Sequence, residues 1–592
     1  MVSAVRILDE EGASRNPLPP FVRSRNADLT AASKPQRVLC FRPDELEFHL
    51  QSVQNPVTFP ATGGTAPVNK WLVTVSVTFG TLMGTIDASI VNVAVPHLRG
   101  SLGATVEEIT WVTTGFVIAN VVVMPLTAFL GHLFGQKRVY MAALLLFILS
   151  SALCGLAGSL ATLVAFRFVQ GLGAGALQPT EQAILRQTFP PKEQGMAMAV
   201  FGMAVIIGPA VGPTLGGYIV DNYSWPWIFF INVPVGVLAL TMVSSFVHEP
   251  EDIRATQRAM AAKRRANLDW LGIALLSIGL AALQYVLEEG NRDDWFDSRV
   301  ISTLSLVSFM ALATFVVREL TAVAPAVDIM LFKDSSFTAG TLVSGVMFAL
   351  LMAVTFLLPV FLQEVLGYTA TQSGLALMPR ALIMMVVTPS VGRTYNSVSP
   401  RLVVGFGVIS VAGSTWMMSH YTLATSEHGI VAALLVQGLG FSCLFVPLAT
   451  TALSRIPRHK LADAAGLNSV VRFIGGSMGL AIFATLLTRH MTTVRSVLGT
   501  HIVAGSATLL PRLYGAQRMF AQMGMNATAA RAGAVRLVAG AVAQQSAVIA
   551  FEQVFLLTGL SFLCVLPLVY FLRRAPHHAP SDAAGPAVHV EM

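Results

Sequence analysis

Trp71-Leu-Val-Thr-Val-Ser-Val-Thr-Phe-Gly80-Thr-Leu-Met-Gly84-Thr-Ile-Asp87-Ala-Ser-Ile-Val-Asn92-Val93 is an apolar run whose single charged residue is Asp87. About 20 such residues cross the roughly 30 Å of hydrocarbon in a bilayer as one helix. An ionisable side chain in that setting costs several kcal/mol, so its presence points to function. Gly80, Gly84 and Asp87 fall on one helical face. Small residues let a neighbouring helix approach, which turns Asp87 into a bundle. A second stretch answers it: Leu163-Val-Ala-Phe-Arg167-Phe-Val-Gln170-Gly171-Leu-Gly173-Ala174. At 100° per residue, Arg167, Gly171, Ala174, Gln178 and Glu181 form a stripe, which must face protein or a water-filled cavity. Asp87 and Arg167 lie at similar depths, so a pair between them is allowed. The alternatives are a coupling site and a purely structural buried ion pair.

The rest of the chain repeats the pattern. Hydrophobic residues make up 54% of the 592 positions and charged residues 12%. A soluble chain carries about twice that charged fraction. Fourteen apolar windows follow one another at about 71–93, 108–130, 139–159, 162–184, 196–220, 227–247, 269–287, 300–317, 337–362, 371–392, 401–420, 429–453, 464–488 and 551–572. They are numbered here as spans 1 to 14. Residues 1–70 and 573–592 read as polar cytoplasmic tails, the first of them disordered. No apolar core follows a charged start, so no cleavable signal peptide is expected.

Alternate loops are basic: Lys137 and Arg138; Arg186 and Lys192; Arg254, Arg258, Lys263, Arg264 and Arg265; Arg393 and Arg401; Arg455, Arg458 and Lys460; then Arg573 and Arg574. The positive-inside rule therefore places both termini in the cytoplasm. The segment 490–550 has five arginines and no acid, and it reads as a long outer loop that escapes the rule. Basic residues scattered through short loops give the net charge of +7 without a nucleic-acid footprint. The loop after span 2 (Gly135-Gln-Lys137-Arg138) has a counterpart after span 10 (Gly392-Arg393 and Arg401). Two six-helix halves separated by two extra helices produce that offset, and parallel halves are a known transporter plan. The expected organisation is 71–247 for the first half, 248–336 for a linker with two accessory helices, and 337–572 for the second half.

Span 5 carries Gly208-Pro209-x-x-Gly212-Pro213-x-x-Gly216. The prolines remove backbone donors and the glycines make a flat face, so this helix is expected to bend or rock against a neighbour. Asn92, Gln170, Gln178, Glu364, Arg380 and Arg472 are the remaining polar candidates for a cavity lining. For the last three, structural pairing within the second half is an equal alternative. Cys40, Cys154, Cys443 and Cys564 make no C-x-x-C pair, and no His/Cys/carboxylate cluster has metal-ligand spacing. There is no phosphate-binding G-x-x-x-x-G-K-[S/T] loop and no nucleophile elbow, so an enzyme is disfavoured and an ion gradient is the expected energy source.

These motifs resemble the major facilitator superfamily, in particular its fourteen-span drug:proton antiporters of the EmrB type. Asp87-Ala-Ser-Ile-Val-Asn92-Val-Ala-Val-Pro96 is similar to that family's span 1 signature, Arg167 and Gln170-Gly171 to its span 4 motif, and the Gly-Pro run to its antiporter motif. Trp227-Ile-Phe-Phe-Ile-Asn232-Val-Pro234, Val327-Asp328-Ile-Met-Leu-Phe332-Lys333 and Leu362-Gln363-Glu364-Val-Leu-Gly367-Tyr368 support the resemblance. It implies an all-α membrane fold with two six-helix halves and two accessory central helices. It further implies proton-driven export of hydrophobic or amphipathic drugs across the bacterial inner membrane, with no cofactor beyond the proton gradient. Asp87, Arg167 and Glu181 would carry proton coupling. A periplasmic membrane-fusion adaptor and an outer-membrane channel would be the partners. A dedicated exporter of one natural product is the alternative. The chain departs from the family in the gating loop of His132, Gly135, Lys137 and Arg138, where His132 stands in place of an aspartate. A relaxed motif is the favoured expectation there, and a pH-sensing histidine the alternative.

Overall fold

The computed structural model describes residues 69–190, 193–248, 269–322, 325–395, 397–453, 456–457, 460–500 and 509–569. The expected tails, apart from residues 69 and 70, lie outside the described residues. So do Cys40, Lys192, the basic run from Arg254 to Arg265, and Arg455 and Arg458. Fourteen helices are long and apolar enough to cross a membrane, and no strand occurs among the described residues. They are Lys70–Leu102, Val106–Val123, Gln136–Gly155, Leu160–Thr188, Gln194–Asn222, Trp227–Phe246, Trp270–Glu289, Arg299–Thr321, Ser335–Val365, Thr371–Thr394, Pro400–Met418, Glu427–Thr451, Leu461–Thr500 and Ala527–Val569. Each overlaps one expected window.

Polar side chains fix where the helices begin, because the first turn of a helix leaves its N–H groups unpaired. Asn69 Oδ1 accepts from the Trp71 N–H at 3.1 Å. Thr105 with Glu108, Ser159 with Thr162, and Thr369 with Gln372 form reciprocal caps at spans 2, 4 and 10. Span 2 departs from expectation: it stops at Val123, and a short helix, Leu126–Phe134, follows. Pro125 has no N–H to continue the ladder at that point.

The halves repeat each other with an offset of eight spans. Span 1 packs on span 5, span 2 on span 4, and span 3 on span 4; span 9 packs on span 13, span 10 on span 12, and span 11 on span 12. The Gly208 face shows why span 5 seats so closely. A Cβ at Gly208 would stand 2.5 Å from Thr85 Cβ, and one at Gly212 would stand 2.6 Å from Ser89 Cβ. In the second half, a Cβ at Gly475 would meet the Gly345 carbonyl.

The symmetry breaks where the halves meet. Span 5 packs directly on span 10, whereas the equivalent spans 2 and 13 touch little and span 7 lies against both. Leu276 and Leu280 of span 7 share a core with Val121, Met124, Leu467 and Val470. Thr114 donates to Glu289 Oε1 at 3.1 Å, and Gln284 Nε2 donates to Ser477 Oγ at 2.8 Å. Span 7 therefore closes a seam, and span 8 packs on span 7.

The expected outer loop 490–550 is helical over most of its described residues. Span 13 continues to Thr500, the helix Leu509–Gln522 follows, and span 14 begins at Ala527. At about 1.5 Å per residue, helices of this length run to about 60 Å, twice the hydrocarbon thickness of roughly 30 Å. The surplus stands clear of the bilayer, and Leu509–Gln522 packs along the start of span 14.

Candidate functional site

Asp87 is fully buried and its carboxylate accepts three hydrogen bonds. Oδ2 accepts from Arg167 Nη1 at 2.6 Å. Oδ1 accepts from Gln170 Nε2 at 3.0 Å and from Asn232 Nδ2 at 2.7 Å. Span 1 therefore offers the anion, while spans 4 and 6 supply the donors. Arg167, itself 1% exposed, also donates to Gln170 Oε1 at 2.7 Å and, through Nε, to the Val112 carbonyl at 3.2 Å. Its guanidinium lies over the Phe116 ring, 4.0 Å from the centroid. Two buried charges persist only when paired and hydrogen-bonded, and this cluster meets both conditions. The spacing Arg167-x-x-Gln170 puts both side chains on one face of span 4, toward span 1.

Glu181 sits about four turns beyond Arg167 on the same stripe and is also fully buried. It accepts hydrogen bonds from Thr78 Oγ1 at 2.9 Å and from Thr81. Among the described residues no cation bonds to it.

His132 has a partner that its sequence context did not indicate. Its Nε2 lies 2.7 Å from Asp463 Oδ2, and the two side chains are 7% and 4% exposed. The contact joins the first half to the first turn of span 13 in the second half. Further bonds cross between the halves at the same end. Gln182 Nε2 donates to Ser469 Oγ at 3.3 Å. Arg186 Nη2 donates to the Ala449 and Thr450 carbonyls at 2.7 and 2.8 Å, in the last turn of span 12. Those carbonyls have no partner within their own helix, and the negative end of the helix dipole favours a cation there. The small residues Ala128, Ala183 and Ala462 pack into the same seal. Gly135 makes the turn behind His132 with φ of +93°, which a side chain would strain. Lys137 Nζ donates to the Ser244 carbonyl within the first half, and Arg138 is exposed.

Away from this seal lies a cavity of 620 Å³ bounded by spans 1, 5, 9, 10 and 13. Asn92, Pro209, Pro213 and Arg380 line it, with Ala88 and Ser89 beside Asp87 in the chain. The prolines of span 5 thus face the cavity while its glycines seat against span 1. The other expected lining residues fall elsewhere. Gln170 belongs to the Asp87 cluster, Gln178 is half-buried on the span 4 stripe, and Glu364 is exposed. Arg472 borders a separate cavity of 40 Å³. Reading the chain residue by residue assigned no site role to Asn232, Asp463 or Gln182, and counted Arg186 only among the basic loop residues. Asn232 and Gln182 carried a signal, each as a polar residue inside an apolar span.

A family model described as Major Facilitator Superfamily matches residues 77–480. The chain is 34% identical over 504 residues to the multidrug export protein EmrB of Escherichia coli K12, covering 85% of this chain and 95% of that one. It is equally 34% identical over 526 residues to the multidrug export protein EmrB of Haemophilus influenzae, covering 87% and 97%. Among solved structures, a variant of XylE superposes with a TM-score of 0.54 at 12% identity, covering 86% of this chain and 96% of that chain. The human organic anion transporter MFSD10 superposes with a TM-score of 0.53 at 15% identity, covering 83% and 99%.

Proposed function

This chain belongs to the major facilitator superfamily, a family of membrane transporters and not of enzymes, and from that premise we propose that it exports hydrophobic or amphipathic drugs from the bacterial cytoplasm in exchange for protons. The observation that carries the coupling is the buried Asp87 cluster, one residue behind the wall of the cavity between the halves. When Asp87 takes a proton, Arg167 loses its counter-charge and the cluster rearranges. Each protonation state then favours one of two arrangements of the halves, a population shift produced by differential binding. Span 5 transmits it, because its glycines ride on Thr85 and Ser89, beside Asp87. Glu181 is a second proton site on the same stripe. The basic loops put the His132 face in the cytoplasm, together with both termini. The helical protrusion between spans 13 and 14 then stands on the periplasmic side and is our candidate contact for a membrane-fusion adaptor, itself joined to an outer-membrane channel. The test is dye efflux in proteoliposomes under an imposed pH gradient. We expect uptake or release that follows the gradient and collapses with an uncoupler. Gradient-independent dye movement, or none with any of a broad panel of drugs, overturns the reading.

In this mechanism, the bonds around His132 form the cytoplasmic gate in its closed state. Cysteines placed at 132 and 463, in a chain lacking its native cysteines, are expected to crosslink on oxidation. Transport should fall about tenfold or more, to the fraction left uncrosslinked, and return with reductant. A crosslinked carrier that transports at the unmodified rate refutes the gate.

A further inference from the structure

The second half brings two arginines to the transport space without bringing a carboxylate to either. Arg380, in span 10, is 5% exposed and lines the 620 Å³ cavity. Its Nη1 donates to Gln437 Oε1 at 3.2 Å, a neutral acceptor. Arg472, in span 13, is 6% exposed and rests on the rings of Phe348 and Phe445, 5.0 and 5.4 Å from their centroids. Phe348 also belongs to the wall of the large cavity, so one ring separates the two cations' spaces. Among the described residues no aspartate or glutamate lines either cavity. The buried carboxylates of the first half are engaged elsewhere: Asp87 with Arg167, and Glu181 with Thr78 and Thr81.

A buried guanidinium is costly without an anion, and its flat fork of donors matches the two oxygens of a carboxylate or sulfonate. The cavity wall is mostly apolar, with Phe348, Met352, Phe356 and Phe473, and its other polar lining residues, Asn92, Gln363, Ser373 and Ser477 among them, are neutral. Aromatic rings and a methionine accept varied apolar bodies. The combination is one fixed positive charge in a chamber whose remaining lining is uncharged and mostly apolar.

We propose that Arg380 is a specificity-determining residue that selects amphipathic monoanions: compounds with one oxyanion head and an apolar body. The head bonds the free edge of the Arg380 fork, and the body lies against Phe348 and Phe356. Arg472 extends the positive potential behind Phe348 without touching the head. Cations of the same size are disfavoured, since the chamber offers them no counter-charge. The assignment rests on the efflux reading above and narrows it.

The test uses a matched pair of fluorescent probes, anilinonaphthalene sulfonate and its neutral parent N-phenylnaphthylamine, with ethidium as the cation. Gradient-driven transport of all three is measured in proteoliposomes, and binding of all three to the purified full-length protein. The wild type should favour the sulfonate over both others. Arg380→Gln, which keeps a donor but removes the charge, should lower the sulfonate-to-neutral ratio about ten- to hundredfold, mainly through KM. Arg380→Lys should restore much of that ratio. Gln437→Leu removes the same structural bond but leaves the cation, so it should keep the preference. An unchanged ratio in Arg380→Gln, or a preference lost equally in Gln437→Leu, overturns the proposal and leaves Arg380 a structural tie. If Arg380→Gln does not fold, binding to the wild type decides: equal affinity for sulfonate and ethidium overturns the proposal. Absence of gradient-driven transport of every probe and drug refutes the efflux reading itself, a different result from transport without charge preference.

Discussion

Asp87→Asn should reduce gradient-driven transport to the level of protein-free liposomes while leaving the purified protein folded. The change is isosteric and removes the group that binds a proton. Arg167 keeps its bonds to the Val112 carbonyl and Gln170 and its seat on the Phe116 ring, so the cluster loses one partner of several. An amide offers one acceptor oxygen where the Asp87 carboxylate offers two, so Gln170 and Asn232 must reorient around it. We therefore expect a modest loss of stability and a complete loss of coupling. The measurement is drug transport in proteoliposomes with and without a pH gradient, beside thermal unfolding of the same preparation. Gradient-driven transport by this variant removes Asp87 from the coupling role and makes Glu181 the next residue to test.

Arg167→Met should do the reverse damage. It leaves the Asp87 carboxylate buried with two amide donors and no cation. Removing one partner of a buried ion pair costs about 3–5 kcal/mol, because the remaining charge is uncompensated. Low yield and a depressed unfolding temperature are expected. The double variant Asp87→Asn, Arg167→Met should recover a large part of that loss, since the unpaired charge is gone, and so the two single effects should not add. Transport separates the readings of the pair. If the double variant folds and still couples transport to the gradient, the pair is structural only. If it folds and does not couple, the stability of the cluster and its proton chemistry are distinct functions of the same residues.

Much of this architecture was legible because membrane insertion reads local properties. A span needs length and apolarity, and a sliding window along one chain measures both; each of the fourteen windows overlaps a helix long and apolar enough to span. The intramembrane charges are equally visible, because Asp87, Arg167 and Glu181 stand out in any apolar run. The segment 490–550 departs from its expected loop for the same reason. Its arginines lower its hydropathy, but Ala-rich sequence such as Ala527-Thr-Ala-Ala-Arg-Ala-Gly-Ala-Val still forms helix, and hydropathy does not measure that propensity.

The number of helices, their approximate ends and the identity of the costly charges were all readable from the chain, since each depends on the residues of one segment and its solvent. Which groups meet was not. Asp463 lies far from His132 along the chain, and Asn232 is well separated from Asp87. Span 7 occupies a seam that the repeat would leave to spans 2 and 13. A buried polar group must find a partner, but helix periodicity states only which face it presents. The partner is fixed by how the helices pack, and that is a property of all fourteen together.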